Sequence, residues 1–216
     1  AGRIDPVPAN DAIVRDPGSR YIDFLIPGLI GIGILSNAVW GLGFSIVDAR
    51  RRKLTKRLMA TPMSRTHYLL SYLIWRKALL LVEVGIPIAF GALAFGVPVR
   101  GHWLDIIILS VLASLTFSAL GLLIASRGRT IESLSGLVNL TIMPMWVLSG
   151  VFFSAQRFPG LVQPVIRLLP LTAYIDALRA VMLQGASLWQ FPPEILPLTV
   201  WLVVSFVLAL KLFRWR

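Results

Sequence analysis

Few residues in this 216-residue chain could do acid–base or covalent chemistry, and their spacing keeps them apart. The only histidines are His67 and His102, and there is no cysteine, which removes thiol catalysis, Cys-based metal sites and any disulfide framework. No HExxH pair and no GxSxG elbow occur. Glu83, Asp105 and Glu132 stand alone in sequence and form no obvious carboxylate pair. A phosphate-cradling GxxxxGK is missing as well, since none of the lysines follows a glycine, so the chain cannot itself bind ATP as a P-loop ATPase does. One residue keeps a chemistry of its own. Glu83 is a carboxylate inside an apolar stretch, and a membrane carboxylate is a functional hypothesis by default, here a proton relay. Snorkelling to an interface and pairing with a basic residue of a neighbouring helix are the competing readings; at i+7 from Arg76, Glu83 shares that residue's helical face.

The elements that must position these residues are long apolar runs. Phe24 to Val47 is 24 residues without a charge, where about 20 helical residues cross a bilayer at roughly 1.5 Å each. Similar runs are 78–97, 106–126, 133–156 and 195–213, so five spans are expected, the last carrying Lys211 near its end. Pro27, Pro87, Pro144 and Pro197 fall inside them, where kinks or broken helices are expected. Composition agrees: 56% of residues are hydrophobic, 14% are charged, and the mean hydropathy is +0.78. The net charge of +11 does not indicate a nucleic-acid binder, because the charge sits between apolar spans and not on a soluble scaffold. The fold class expected is an all-α, polytopic transmembrane helical bundle in one domain, residues 1–216.

Charge orders the loops. Nine Lys and Arg fall in 48–77, two in 127–132 and three in 211–216; the alternate side has three in 1–23, Arg100 alone, and three in 157–194. This 14-to-7 asymmetry puts 48–67 and the C-terminus in the cytoplasm and the N-terminus outside. A polar N-terminal segment on the outer side implies either an upstream helix, giving six spans in the full protein, or a cleaved signal peptide. The outer stretch 157–194 holds apolar pieces punctuated by Pro and Gly, too short to span. Its middle piece puts Tyr174, Leu178 and Val181 on one face, with Asp176 and Arg179 as an i, i+3 pair, and is expected as an interfacial or re-entrant helix.

The segment DARRRKLTKRLMATPMSR at 48–65 is patterned beyond its seven positive charges. With helical spacing, Val47, Leu54, Leu58 and Thr61 share a stripe interrupted by Arg51, while Arg50, Lys53, Lys56 and Arg57 fall largely on other faces, and Pro62 breaks the helix. Anchoring to anionic lipid needs the charges, at roughly 1 kcal/mol each near the surface, but no particular sequence after them.

The continuation does have a particular sequence. KRLMATPMSRTHYLL at 56–70 resembles the cytoplasmic motif of the ABC-2 family, the membrane permeases of exporter-type ABC transporters. GLLIASRGRTIESLSGLVNLTIMPMWVLSGVFF at 121–153 resembles that family's signature region, and PLTAYIDALRAVMLQG at 170–185 is similar to the segment before its last helix. The resemblance runs from about Tyr21 to the C-terminus. It departs where many members carry an acidic residue and a glycine in the basic segment, here Arg51 and Lys53.

What the resemblance implies is a non-catalytic subunit that moves a drug, lipid or glycan outward. It would work as a dimer with a second permease copy and with two copies of an ABC ATPase, which binds the ATP and Mg; this chain would bind no cofactor. The ATPase would be met by a coupling helix, a role carried to Arg50, Arg51, Leu54, Arg57, Leu58, Ala60, Thr61 and Pro62, with Arg127, Arg129 and Glu132 as a second contact. Asn37, Glu83, Asn139 and Met143 are the candidates for lining a pathway, against the alternative that the amides make packing hydrogen bonds worth about 0.6 kcal/mol each. Thr141 stands under the same two readings, while Met143, Met145, Trp146 and Phe152 could contact an amphipathic substrate or simply pack. The rival to a permease is a proton-coupled carrier or channel using Glu83, weakened by the lack of a visible inverted repeat.

Overall fold

The computed structural model describes residues 20–51, 65–128, 130–153, 158–188 and 192–212, and these described residues form seven helices. They are α1 (Tyr21–Arg51), α2 (Arg65–Phe95), α3 (Trp103–Arg127), α4 (Ile131–Leu148), α5 (Gln163–Leu168), α6 (Pro170–Gln184) and α7 (Pro192–Leu212). Among the described residues five stretches are long and apolar enough to cross a membrane: Tyr21–Asp48, Ala78–Phe95, Trp103–Arg127, Ile131–Leu148 and Glu194–Leu212. The chain is therefore an all-α, multi-pass membrane protein, since only helices and closed barrels satisfy their backbone within a bilayer.

Helix ends follow local chemistry. Thr130 caps α4, its hydroxyl oxygen accepting the Ser133 N–H at 3.2 Å. Gly96, at φ 62°, ends α2, and Gly150, at φ 71°, follows the end of α4; these left-handed angles are open to glycine and strained for residues with a Cβ. That turn stops α4 at Leu148, short of the span to Gln156 read from hydropathy alone. The helices α1, α2, α4 and α7 continue through Pro27, Pro87, Pro144 and Pro197. None is broken there.

Helix α3 is the hub. It packs on α1 and α7 most extensively and also on α2, α4 and α6, and it buries Ile106, Leu109, Ala113, Phe117, Leu120 and Ala125. The α1–α3 crossing is tight because Gly121 lies against the backbone of α1 at Ala38 and Val39, where an added Cβ would sit 2.9 Å from the Val39 Cα. Thr116 of α3 donates its hydroxyl to the Leu112 carbonyl at 2.9 Å and the Leu198 carbonyl of α7 at 3.1 Å. Over 78–95, helix α2 buries the narrow stripe Leu80, Val84, Ile88 and Gly91, leaving Leu81, Ile86, Phe90 and Leu93 exposed. On α7, Val203, Phe206 and Leu210 are likewise exposed. Such faces suit hydrocarbon, which is as apolar as they are.

Helix α6 departs from a surface amphipathic helix. Nearly every residue from Pro170 to Met182 is buried, Tyr174, Leu178 and Val181 among them. Its first turn meets α1 at Gly31, in contact with Leu171 and Ile175, ten residues and about 15 Å from the Tyr21 end. Its last turn returns to the α2–α3 connection, where the Arg100 N–H donates to the Met182 carbonyl at 2.9 Å and Gly101 abuts Val181. The helix is capped there by Gly185 and Ala186, whose N–H groups reach Val181 and Ala180. Just ahead of it, Trp201 of α7 donates its indole N–H to the Leu168 carbonyl at 2.8 Å. Together α5 and α6 form a re-entrant piece inserted into one end of the bundle.

Candidate functional site

The end of the bundle that carries the basic segment is built around Leu134. This residue of α4 is fully buried and fills the space beside Gly43 of α1 and Gly128 after α3, with its Cδ1 3.3 Å and its Cβ 3.3 Å from the positions a Cβ would take on those glycines. One wedge thus brings together the last two turns of α1, which run on to Arg50 and Arg51, and the reversal between α3 and α4. Arg127 lies in the last turn of α3 and Glu132 in the first turn of α4, each complementing the helix dipole, and both are exposed. The backbone of Arg50 and Arg51 is helical. Leu54, Arg57, Leu58, Ala60, Thr61, Pro62 and Arg129 lie outside the described residues. What the structure shows is that the helical backbone at Arg50 and Arg51 and the α3–α4 reversal with Arg127 and Glu132 share one end.

The pathway candidates separate onto two faces. On α1, Asn37 is exposed in the row Leu29, Gly33, Asn37, Gly41 and Phe44. On α4, Leu134, Val138, Ile142 and Met145 turn inward, while Ser133, Gly136, Asn139, Leu140, Met143 and Val147 turn outward. Because α4 packs on α1, the two exposed rows belong to adjacent helices. Both Gly33 and Gly136 have open space in front of them, with nothing within 4 Å of an added Cβ. Thr141 is satisfied within its own helix by donating to the Leu137 carbonyl at 2.9 Å. Glu83 comes from another quarter: α2 packs principally on α1 and α3, and Glu83 is half-buried with its Oε2 shielded from solvent. The helix begins at Arg65, so Glu83 lies well along it, twelve residues or about 18 Å before Phe95.

Glu83 is also near enough to Tyr174 to act on it. The Tyr174 phenol is fully buried, edge-on to Phe117 at 6.4 Å, with its hydroxyl 3.1 Å from Ser110 Oγ. Burial pushes its proton affinity well above the ordinary phenol range, the Ser110 bond pulls it back, and the Glu83 charge adds to the rise. Tyr174 therefore stays neutral and serves as the polar pin between α6 and α3.

At the end opposite the basic segment, sequence reasoning missed the principal polar node. Arg179 was legible as the i, i+3 partner of Asp176, and that pair is present at 3.5 Å. Its stronger engagements are elsewhere. Nη2 donates to the Gly150 carbonyl at 2.8 Å and to the Phe24 carbonyl at 3.0 Å, Nε donates to Phe24 at 3.3 Å, and the guanidinium lies 3.6 Å from the Phe24 ring centroid. Burial lowers its pKa, and neighbouring Asp176 opposes that shift. For Asp176, burial raises the pKa, Arg179 lowers it and Glu194 adds to the rise. The available signal was a lone arginine on a helix otherwise fit for burial, which must find acceptors within the fold.

Five apolar crossings, a basic end built on a shared wedge and a re-entrant hairpin at the other end describe a multi-pass membrane protein. Among the described residues no group of three or more His, Asp or Glu could hold a metal. Residues 3–211 match the family described as ABC-2 family transporter protein, and the chain belongs to that family. It is 28% identical over 163 residues to the inner membrane transport permease YadH of Escherichia coli K12, covering 75% of this chain and 63% of that one. To nodulation protein J of Rhizobium meliloti it is 27% identical, over 94% of this chain and 77% of that protein. To ABC transporter G family member 20 of Dictyostelium discoideum it is 25% identical, over 92% of this chain and 28% of that protein. The chain thus spans less than two thirds of the first and third of these relatives.

Proposed function

We propose that this chain is the translocation subunit of an ATP-driven exporter, taking its energy from a separate ABC ATPase at the basic end and moving an amphipathic drug, lipid or glycan outward. The observation that carries the reading is the Leu134 wedge. It joins the approach to the basic segment and the α3–α4 reversal to the helix that bears Asn139 and Met143, so displacement at that end reaches the exposed face of α4 directly. The exposed row on α4 supports a pathway shared with a second copy of the chain, because an amide such as that of Asn139 is costly facing hydrocarbon and not costly facing a watered cleft. Charge asymmetry places the basic end in the cytoplasm and the re-entrant hairpin on the outer side.

Two experiments test this. Purified alone in lipid, the chain is expected to hydrolyse no ATP and to transport nothing, gaining both with its partner ATPase; transport driven by an ion gradient alone would replace the reading with a carrier centred on Glu83. The chain has no cysteine, so single cysteines at Thr66 and Gly160 report sidedness cleanly. An impermeant maleimide applied to intact cells is expected to label the Gly160 site and spare the Thr66 site. Equal labelling of both overturns the orientation.

A further inference from the structure

Helix α6 fills the outer end of the bundle, and its polar ties divide into two sets. Toward α3 and the connection before it run the Tyr174–Ser110 contact at 3.1 Å and the Arg100 to Met182 bond at 2.9 Å. Toward α1 and the turn after α4 run the bonds of a single side chain, Arg179, to the Phe24 and Gly150 carbonyls, with apolar contact at Gly31 on the same α1 seam. The first set spreads over two residues of α6, Tyr174 and Met182; the second converges on one guanidinium. Gly28 and Val151 hold the α1 and α4 sides of this node in close contact, an added Cβ on Gly28 lying 3.0 Å from the Val151 carbonyl oxygen.

We propose that Arg179 is a positioning residue for transport, the latch that keeps α6 seated against α1 and the end of α4, and that cargo leaves when this guanidinium lets go of the Phe24 and Gly150 carbonyls. The proposal rests on the outward-transport reading given above. Carbonyl oxygens are well suited to a releasable hold, because their departure strands no opposite charge. Arg179 also carries its own counter-ion: Asp176 lies one turn away on the same helix, 51% exposed and only loosely engaged at 3.5 Å. On release the guanidinium can close on Asp176 and stay paired while α6 moves with α3. A fixed structural arginine needs no such second seat.

A cysteine at Ile175 on the α1–α6 seam reads the latch in the full protein with its partner ATPase, without ATP or cargo. An impermeant maleimide applied from outside is expected to label Ile175→Cys slowly in the parent. Arg179→Gln should raise the labelling rate about tenfold or more, as loss of charge-assisted hydrogen bonds implies. Arg179→Lys, which keeps the charge but cannot fork between two carbonyls, should fall between them. Co-purification of the ATPase checks that each variant assembles. Parental labelling rates in an assembled Arg179→Gln protein overturn the proposal; if that variant does not assemble, a parental rate in Arg179→Lys does so. Because the readout needs no transport, a failure of the export reading would leave these rates changed and so be told apart from a failure of the latch.

Discussion

Replacing Leu54 and Leu58 together by alanine is expected to leave membrane insertion and all seven positive charges of 48–65 in place, yet to abolish most ATPase co-purification and export. The two causes that could account for the basic segment make opposite demands. A lipid anchor uses its charges, each worth roughly 1 kcal/mol near an anionic surface, and is indifferent to leucines four residues apart. A coupling helix uses the leucines as knobs in a groove of the ATPase. Truncating a buried leucine costs about 2–5 kcal/mol in a core and less at an interface rim, so even the lower figure for two residues exceeds the roughly 1.4 kcal/mol that means tenfold in affinity. A pull-down from detergent-solubilised membranes and an export assay measure both. Normal assembly in the double mutant would return the segment to a lipid anchor.

Substituting Gly121 by valine should be strongly damaging to the bundle. The first carbon of the new side chain would lie 2.9 Å from Val39 Cα, 3.1 Å from Val39 O and 3.2 Å from Ala38 O, all of them helix backbone that cannot rotate aside. Overpacking commonly costs about 1–3 kcal/mol, and here the two most extensively packed long helices would have to part. The expected result is a large fall in melting temperature and in the yield of folded protein. Gly33→Ala and Gly136→Ala are the matched controls: each adds a methyl where nothing lies within 4 Å, and each gains up to about 1 kcal/mol of helix propensity. Their melting should be unchanged or slightly raised. A parental melting curve for Gly121→Val would mean that the tight α1–α3 crossing is wrong.

The crossings were legible in the sequence because hydropathy over some twenty residues integrates many weak preferences into one strong one. All five runs proposed from composition coincide with helices, and the largest error, at the end of α4, arose because hydropathy is blind to the backbone angle at Gly150. Helix α6 shows the limit of periodicity. Tyr174, Leu178 and Val181 indicated an apolar face, but Ala173, Ala177 and Ala180 on other sides read as neutral, and their burial comes from α1, α3, α4 and α7 closing around the helix. Arg179 was visible only through its neighbour in sequence, since Phe24 and Gly150 are 155 and 29 residues away and a carbonyl acceptor leaves no mark on the side-chain alphabet. Asn37, Asn139 and Met143 were singled out for polarity or softness in apolar runs, and their outward orientation required the helix phases that only packing sets.

The close approach of Gly121 to Val39 makes α1 a lever with a fulcrum. From Val39 the helix runs twelve residues, about 18 Å, to Arg51 and fifteen residues, about 22 Å, back to Phe24. A push on the basic end would therefore swing the Phe24 end the opposite way through a slightly larger arc. A rocking of a few degrees moves the Phe24 carbonyl by an ångström or two, which is enough to take a 3.0 Å hydrogen bond out of range. The mechanical advantage is close to one. Work delivered at one membrane face would arrive at the other as displacement of similar size, with no need for the intervening helices to unfold or slide.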